Sequence, residues 1–490
     1  MSPDLPPDRA APPTRAPASP VALRQGAMAR LALRFTAWAE TWFPDTFVFA
    51  AVGVVVVAVA ALGNGATPAA ITKAFGDGFW SLIVFSMQMV FVAISGYVVA
   101  TSPPAARLIR RLAMIPRTGP GAIALIATIS MSASFLNWGL SLVFSGLLAR
   151  AMATRTELRM DYRAAGAAGY LGLGATWALG LSSSAAQLQA NAASLPPALL
   201  RITGVLPFGQ TILLWQSLVM AAVLLVVSVL IAWLSAPRGE AAVTAQHMGI
   251  DPQVPVGEVA PRERPGEWLE YSPFLTVVLV ALTVGWMLQE FTRLGVVVAI
   301  SGLNAYNLIF LMLGLVLHWR PRSFLNAVAR AVPATTGVLI QFPLYGAIAT
   351  IMTNARGWGD VSLADRIAHL FVSFNTTESF PVVMGIYSAV LGFFIPSGGG
   401  KWIIEAPYVM QAANELRVHL GWAVQVYNAA EALPNLVNPF WMLPLLGVLS
   451  IKARDIVGFS FLQLLVHTPL VLFMLWFLGR TLPYIPPVMP

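Results

Sequence analysis

The segment FFIPSGGGKWIIEAP, from Phe393 to Pro407, decides how this chain folds. It is apolar at both ends, and Pro396, Ser397, three glycines and Lys401 interrupt it in the middle. Irregular backbone inside a bilayer leaves N–H and C=O groups unpaired, so it is tolerated only where protein, water or a ligand completes their hydrogen bonds. In a membrane protein, a break of this kind is typical of a binding site.

Composition places the chain in a lipid bilayer. Hydrophobic residues make up 57% of its 490 residues, charged residues make up 10%, and the mean hydropathy is +0.73, unlike a soluble globular protein. Cysteine is absent, which excludes disulfides, thiolate metal sites and cysteine nucleophiles. The formal net charge of +8 comes mainly from arginines in short loops between apolar segments, which indicates membrane topology and not a nucleic-acid partner.

Apolar segments of about 20 residues, the length that crosses a bilayer, recur along the chain. The predicted segments are 47–62, 79–100, 121–152, 164–181, 211–234, 273–290, 296–317, 334–352, 381–410, 422–449 and 456–478. Those that begin at Gly121 and Pro381 are too long for one helix and are interrupted at their centres. We interpret both as helical hairpins.

Positively charged loops orient these segments, because Lys and Arg in short loops stay on the cytoplasmic side. Arginines flank both ends of segment 121–152, so both ends are placed inside, whereas segment 381–410 is predicted to enter from the external face. Each half then has the order span, interrupted hairpin, span, which predicts an inverted-topology repeat. The predicted regions are a disordered basic tail 1–40 with a cytoplasmic N-terminus, a first membrane half 41–235, a cytoplasmic linker 236–271, a second membrane half 272–480 and a short C-terminal tail 481–490.

The hairpin tips are the predicted substrate site. Glycine lets the backbone amides approach a ligand, and a helix that starts after the PSGGG run directs the positive end of its dipole into the break, where a carboxylate would bind. The alternative is a tight turn in which glycine serves only close packing, and for the first tip a helix–helix contact. Lys401 pairs either with a substrate carboxylate or with Glu405, four residues along the same helical face. The predicted substrate-binding residues are Asn137, Trp138, Gly139, Ser397, Gly398, Gly399, Gly400 and Lys401.

A second set of polar residues lies where apolar helices should unwind. Exposed carbonyls and hydroxyls at such ends are hard oxygen ligands suited to Na⁺, although they also serve as simple helix caps. Glu431 is the clearest acidic residue within a predicted span, and an intramembrane carboxylate is a candidate proton carrier or cation ligand. The predicted ion-coupling residues are Ser182, Ser183, Ser184, Glu431, Asn435 and Asn438.

Several segments resemble the bacterial short-chain fatty acid transporter family. They are FGDGFWSLIVFSMQM at 75–89, NWG at 137–139, LIQFPLYGAI at 339–348, IPSGGGKW at 395–402 and NPFWMLPLL at 438–446. The resemblance implies ion-coupled carriage of small monocarboxylates such as acetoacetate or butyrate. It also implies a scaffold and a transport domain, in which paired hairpins hold the substrate and move as an elevator. Because elevator-type relatives are often dimers, a homodimer is expected.

The sequence therefore predicts an all-α, multi-pass protein of the bacterial inner membrane with two re-entrant hairpins. The predicted function is secondary active transport, by symport, of short-chain fatty acids or related monocarboxylates. The alternative is an anion channel or an exporter of small organic acids. No metalloprotease, hydrolase, Walker or dinucleotide motif occurs in a suitable context, so an enzyme is not expected. The expected partners are a small carboxylate and lipid, with no cofactor and with H⁺ or Na⁺ as the coupling ion.

Overall fold

The computed structural model describes Thr41 and residues 46–253, 261–395 and 397–487. The predicted basic tail 1–40 and Pro396 lie outside the described residues. All regular structure in the described part of the chain is helical, and it contains no β-strand. Six helical segments among these residues are long and apolar enough to cross a membrane, which agrees with a multi-pass membrane protein.

The helices are numbered in chain order. The first part of the chain forms α1 Thr46–Gly63, α2 Pro68–Phe79, α3 Ile83–Ala100, α4 Pro103–Ala113, α5 Gly119–Leu136, α6 Trp138–Ala153, α7 Tyr162–Leu171, α8 Ser184–Gln189, α9 Pro197–Thr203 and α10 Trp215–Ser235. The second part forms α11 Trp268–Tyr271, α12 Phe274–Leu294, α13 Val296–Ser301, α14 Leu303–His318, α15 Pro321–Ala331, α16 Thr336–Asn354, α17 Leu363–Phe374, α18 Phe380–Phe394, α19 Gly398–Glu415, α20 Leu420–Asn435, α21 Pro439–Leu449 and α22 Ala453–Gly479.

Three apolar segments that were predicted as single spans are divided in the structure. Segment 296–317 is split at Gly302 into α13 and α14. Segment 422–449 is split between Asn435 and Pro439 into α20 and α21, where the sequence predicts that the helix unwinds. In segment 164–181, α7 passes into a π-helical turn at Gly172–Thr176 and a 3₁₀ turn at Trp177–Leu179. Glycine weakens a helix, and proline disfavours helical geometry at the residue before it. The length of an apolar segment alone therefore overestimates the length of the continuous helix.

Amphipathic helices occupy two stretches that the sequence analysis treated as loops. Helix α4 begins with two prolines, and the Ser102 hydroxyl caps it by accepting from the Ala105 N–H at 3.4 Å. Ala105, Ile109 and Ala113 form its buried face, while its arginines face outward. Helix α15 begins with Pro321 and likewise buries alanines. Both helices were missed because eleven residues are too few to cross a bilayer.

The two interrupted segments are each a pair of helices, here named the first broken segment (α5 and α6) and the second broken segment (α18 and α19). The first is interrupted at Asn137 and the second at residues 395–397, the positions where the sequence predicts interruptions. Helices α5 and α6 pack along each other, whereas α18 and α19 meet mainly through long side chains.

The same order of packing occurs twice in the fold. In the first half α3 packs on α6, while α7 and α10 pack on α5; in the second half α16 packs on α19, while α20 and α22 pack on α18. One large cluster of buried apolar side chains is built on α4 to α7, and another on α16, α17, α19 and α20. Helices of the opposite half also contact the broken segments, because α21 packs on α6 and α9 packs on α19.

Candidate functional site

Both broken segments contact one short stretch, Leu181–Ser184, here called the serine segment. The Leu181 N–H donates to the Phe135 carbonyl at 2.7 Å, and the Trp138 N–H donates to Ser182 Oγ at 3.0 Å. From the other side, a Cβ added at Gly399 would lie 3.2 Å from Ser184 Cβ. The N-terminal ends of α6 and α19 therefore both lie against the serine segment.

Glycines in the second break are needed for close packing. A Cβ at Gly398 would lie 2.2 Å from Trp177 Cη2, and a Cβ at Gly400 would lie 2.1 Å from Tyr345 Cδ2. The Tyr427 hydroxyl donates to the Gly398 carbonyl at 2.6 Å, and Ser397 Oγ accepts from the Gly400 N–H at 3.2 Å. The close packing that the sequence left open as an alternative is thus formed with Trp177, Tyr345 and Tyr427.

Asn137, predicted to bind substrate, has its whole amide engaged by the protein. Its Nδ2 donates to the Val92 carbonyl and to the Tyr306 hydroxyl, both at 3.1 Å, and its Oδ1 accepts from the Leu140 N–H at 3.0 Å. It caps α6 and joins it to α3 and α14, which is the helix–helix contact that the sequence left open.

The other two residues of the first tip, Trp138 and Gly139, also contact protein. The Trp138 ring is half-buried and meets the Trp441 ring edge-on, with 6.0 Å between ring centroids. A Cβ at Gly139 would lie 3.2 Å from the Ala93 carbonyl oxygen. Trp138 is the residue of this tip whose side chain keeps some exposed surface, since Gly139 is buried against α3.

Lys401, Glu405 and Glu431 form a buried cluster, here called the charged triad. Lys401 Nζ lies 2.6 Å from Glu431 Oε2 and 3.2 Å from Glu405 Oε1, and all three side chains are 0% exposed. The ammonium also donates to the Ser388 carbonyl at 2.6 Å and to Ser388 Oγ at 2.8 Å. The structure thus joins Lys401, predicted for substrate, with Glu431, predicted for the ion, and it includes the predicted Lys401–Glu405 pair.

The charged triad is not balanced in charge. When all three groups are ionised, two carboxylates face one ammonium, which leaves one negative charge in a site shielded from water. Among the described residues, Glu405 Oε2 and Glu431 Oε1 have no hydrogen-bond partner. Such a site can take up one more positive charge, as a proton or a cation.

A polar network connects the serine segment to α20. Ser183 Oγ donates to Asn428 Oδ1 at 3.1 Å, Asn428 Nδ2 donates to Gln425 Oε1 at 2.7 Å, and Gln425 Nε2 donates to Ser217 Oγ at 2.9 Å. Ser183 was predicted from the sequence as an ion-coupling residue, whereas Asn428, Gln425 and Ser217 were missed. The signal was available, because Gln425, Asn428 and Glu431 recur every three residues in an apolar segment and so share one helical face.

The remaining predicted ion-coupling residues do not form one ligand set. Ser184 Oγ lies 3.6 Å from Met89 Sδ, and the Asn438 N–H donates to the Asn435 carbonyl at 3.3 Å. In the described part of the chain, no hydrogen bond or ion pair joins Ser182, Ser183 or Ser184 to Glu431 or Asn435, and no cluster of His, Asp or Glu is arranged to hold a metal ion. The Asn435 amide is buried without a hydrogen-bond partner among these residues.

Sequence comparison identifies relatives along nearly the whole chain. The profile of the family described as Short chain fatty acid transporter matches residues 27–478. A protein of Escherichia coli (strain K12) that carries the name of a short-chain fatty acid transporter is 32% identical over 443 residues, which cover 89% of this chain and 96% of that protein. A protein of the same name from Haemophilus influenzae is 29% identical over 458 residues, which cover 92% of this chain and 100% of that protein.

Solved structures of membrane transporters share the fold. Neisseria gonorrhoeae MtrF, reported within a class of antimetabolite efflux pumps, superposes with a TM-score of 0.55 at 14% identity, covering 94% of this chain and 100% of that one. The Alcanivorax borkumensis YdaH transporter, reported with an unusual topology, superposes with a TM-score of 0.53 at 14% identity, covering 90% and 100%. At this identity the likeness extends to the helical architecture alone.

Proposed function

Because this chain belongs to the short chain fatty acid transporter family, we propose that it carries short-chain fatty acids or related small monocarboxylates, such as acetoacetate and butyrate, by an ion-coupled, alternating-access mechanism. Its relatives are named as transporters and not as enzymes. The proposal places the protein in the bacterial inner membrane with a cytoplasmic N-terminus, as a homodimer.

The observation that carries this proposal is the convergence of two helix ends on the serine segment. Helices α6 and α19 are 16 and 18 residues long, and both begin beside it. The first-turn N–H groups of a helix have no intrahelical partners, and the helix dipole adds positive potential there. Two such ends facing one short polar segment favour a small anion, so a carboxylate is the fitting ligand.

The twofold recurrence of packing supports an alternating-access mechanism. We infer that the two halves are inverted repeats and that both broken segments are re-entrant hairpins. The repeated contacts of α3, α7 and α10 in one half and of α16, α20 and α22 in the other support this inference. Opposed halves allow a shared site to open to each side in turn, with the hairpins moving as a transport domain against a scaffold.

Counterflow in proteoliposomes tests the transport proposal. Short fatty acids cross bilayers passively in their neutral form, but passive diffusion gives no transient accumulation of labelled acid against unlabelled acid. With full-length protein, we expect saturable counterflow of labelled acetoacetate or butyrate. Flux without saturation or counterflow supports the channel alternative, and absence of flux for every carboxylate tested contradicts the proposal.

A serine substitution tests the position of the anion. We expect Ser182→Ala to raise the half-saturation concentration about tenfold, because the Trp138 N–H loses its acceptor and the helix end is displaced. Ser373→Ala is the matched control, since that hydroxyl is exposed and bonds only within its own helix. An unchanged half-saturation concentration in Ser182→Ala would place the anion elsewhere.

A further inference from the structure

The charged triad lies at the centre of the second half and holds an unmatched carboxylate. Lys401 and Glu405 are on α19, Glu431 is on α20, and the Ser388 groups that complete the ammonium's hydrogen bonds are on α18. Burying a net charge is costly because the interior cannot solvate it as water does. The site therefore favours a state in which one more positive charge is bound.

A metal cation is a poor candidate for that charge. The ammonium of Lys401 already occupies the position between the two carboxylates, 2.6 Å from one and 3.2 Å from the other. A sodium ion that contacted the same oxygens would lie beside this ammonium, and like charges at such distances repel strongly in a buried site. A proton avoids this repulsion because it neutralises a carboxylate and adds no separate ion.

We propose that the charged triad is the proton-binding site of the transport cycle, with one proton bound to either the Glu405 or the Glu431 carboxylate. An O–H bond forms with a proton from water on one side of the membrane, and the same bond breaks as the proton leaves to water on the other side. The triad is neutral when loaded and carries one negative charge when empty. Lys401 serves as the counter-ion and does not bind the substrate.

The groups around the triad are compatible with this role. Its titratable neighbours are tyrosines: the Tyr427 ring lies 4.7 Å from Lys401 Nζ, Tyr345 interacts electrostatically with Glu431, and Tyr387 and Tyr408, with 2.9 Å between their hydroxyls, interact with Glu405. Among the described residues, no second lysine, arginine or histidine lies within 4.0 Å of either carboxylate. The two carboxylates therefore titrate as a coupled pair against one fixed cation.

Hydrogen bonds connect the charged triad to the N-terminal end of α19. The Lys401 N–H donates to the Ser397 carbonyl at 2.8 Å within the first turn of the helix. On α20, Tyr427 binds the Gly398 carbonyl and lies one turn before Glu431. A change in the charge of the triad thus acts directly on the helix end that faces the serine segment.

The inference rests on the proposed function and is tested by initial acetoacetate uptake into proteoliposomes, after subtraction of uptake by protein-free liposomes. The pH-gradient measurement is made without sodium, and a separate measurement applies a sodium gradient. For the wild type we expect an acid-outside pH gradient to raise the initial rate at least tenfold. A sodium gradient at equal pH should not raise it. Sodium stimulation, or no response to the pH gradient in a protein that performs counterflow, would overturn the inference.

Single substitutions separate coupling from transport. Glu431→Gln and Glu405→Gln each leave one carboxylate paired with Lys401, so the site is already neutral and has no proton to gain. We expect both variants to lose the tenfold stimulation by the pH gradient, with each variant's own rate at equal pH as its reference. Glu378→Gln is the matched control, because that side chain is 68% exposed and pairs only with Arg480 at 3.6 Å. Full stimulation in both triad variants would overturn the inference.

A second readout does not depend on transport or on the variants folding. Infrared difference spectra of the purified wild type in sodium-free buffer should show a buried protonated carboxyl group that forms on acidification. The band should persist in Glu378→Gln. Its presence in a protein that shows no counterflow would reject the proposed function while retaining the proton site, and its absence from the wild type would reject the proton site.

Discussion

The two broken segments have the same plan but different chemistry between their helices. In the first, α5 and α6 meet through serines: Ser141 Oγ donates to the Ser130 carbonyl at 2.8 Å, and the two hydroxyl oxygens are 3.2 Å apart. In the second, Ser388 on α18 hydrogen-bonds to Lys401 and Glu405 of the charged triad on α19. Small neutral groups let the first pair pack closely, whereas the second pair is held apart by long side chains.

The difference between neutral and charged contacts implies different roles for the two broken segments. Hydrogen bonds between hydroxyls and carbonyls join neutral groups, so the contact itself gains or loses no charge when a proton binds. A pair of helices joined by one ammonium and two carboxylates changes its attraction whenever a proton is gained or lost. Under the proposed mechanism, the first broken segment supports the serine segment and the second responds to the proton.

Removal of the buried ammonium should have the largest effect. Lys401→Met leaves the Glu405 and Glu431 carboxylates buried without a cation, so we expect the free energy of unfolding to fall by about 3–5 kcal/mol. Transport should be abolished. Thermal unfolding of the purified protein and counterflow are the measurements.

Lys73→Met provides the control for this substitution. The Lys73 side chain is 75% exposed and pairs with Asp77 on the surface of α2, so the same chemical change should leave the melting temperature nearly unchanged. Equal melting temperatures for the two variants would show that the charged triad does not stabilise the packing of α19 against α18 and α20.

The tip of the second broken segment gives the next largest effect. Gly400→Ala would place a methyl group 2.1 Å from the Tyr345 ring, so α19 must shift, at an expected cost of about 1–3 kcal/mol in unfolding free energy and a loss of transport rate. In the double variant with Tyr345→Ala the ring is absent. The Gly400→Ala substitution should then cost little further stability, as a double-mutant cycle would measure.

Much of the fold could be predicted from the sequence because a bilayer requires apolar segments of a set length with paired backbone hydrogen bonds. The length of apolar segments and the interruptions at Asn137 and near Ser397 are local properties, and the structure places helix ends at both. The break inside segment 296–317 was not predicted, because apolar composition does not report where a helix unwinds. The break inside segment 422–449 was predicted from Asn435 and Asn438, whose polar side chains interrupt the apolar run. Eleven-residue amphipathic helices such as α4 and α15 were missed for the complementary reason, since their surface face is charged.

The candidate site was less accessible to sequence reasoning, because its geometry depends on contacts between distant helices. The i, i+4 spacing predicted the Lys401–Glu405 pair, which is a local relation on one helix. Glu431 was found as an isolated intramembrane acid, but its position 2.6 Å from Lys401 depends on how α20 packs on α19. Ser388 had no local signal that distinguishes it from an ordinary polar residue that joins helices, whereas Asn428 had only its three-residue spacing with Gln425 and Glu431.

The smallest expected effects test the difference between the two broken segments most directly, because the same substitution can be made at equivalent contacts. Ser141→Ala removes hydroxyl bonds to Ser130, and Ser388→Ala removes bonds to Lys401 and Glu405; each should lower the unfolding free energy by about 1 kcal/mol. Their effects on transport should differ. Ser388→Ala alters the hydrogen bonding of the ammonium and should shift the pH at which counterflow is half-maximal, whereas Ser141→Ala should leave that pH unchanged, since no ionisable group contacts its hydroxyl in the described structure. Counterflow measured across a pH series separates the two, and equal shifts in both variants would mean that the first broken segment senses the ion as well.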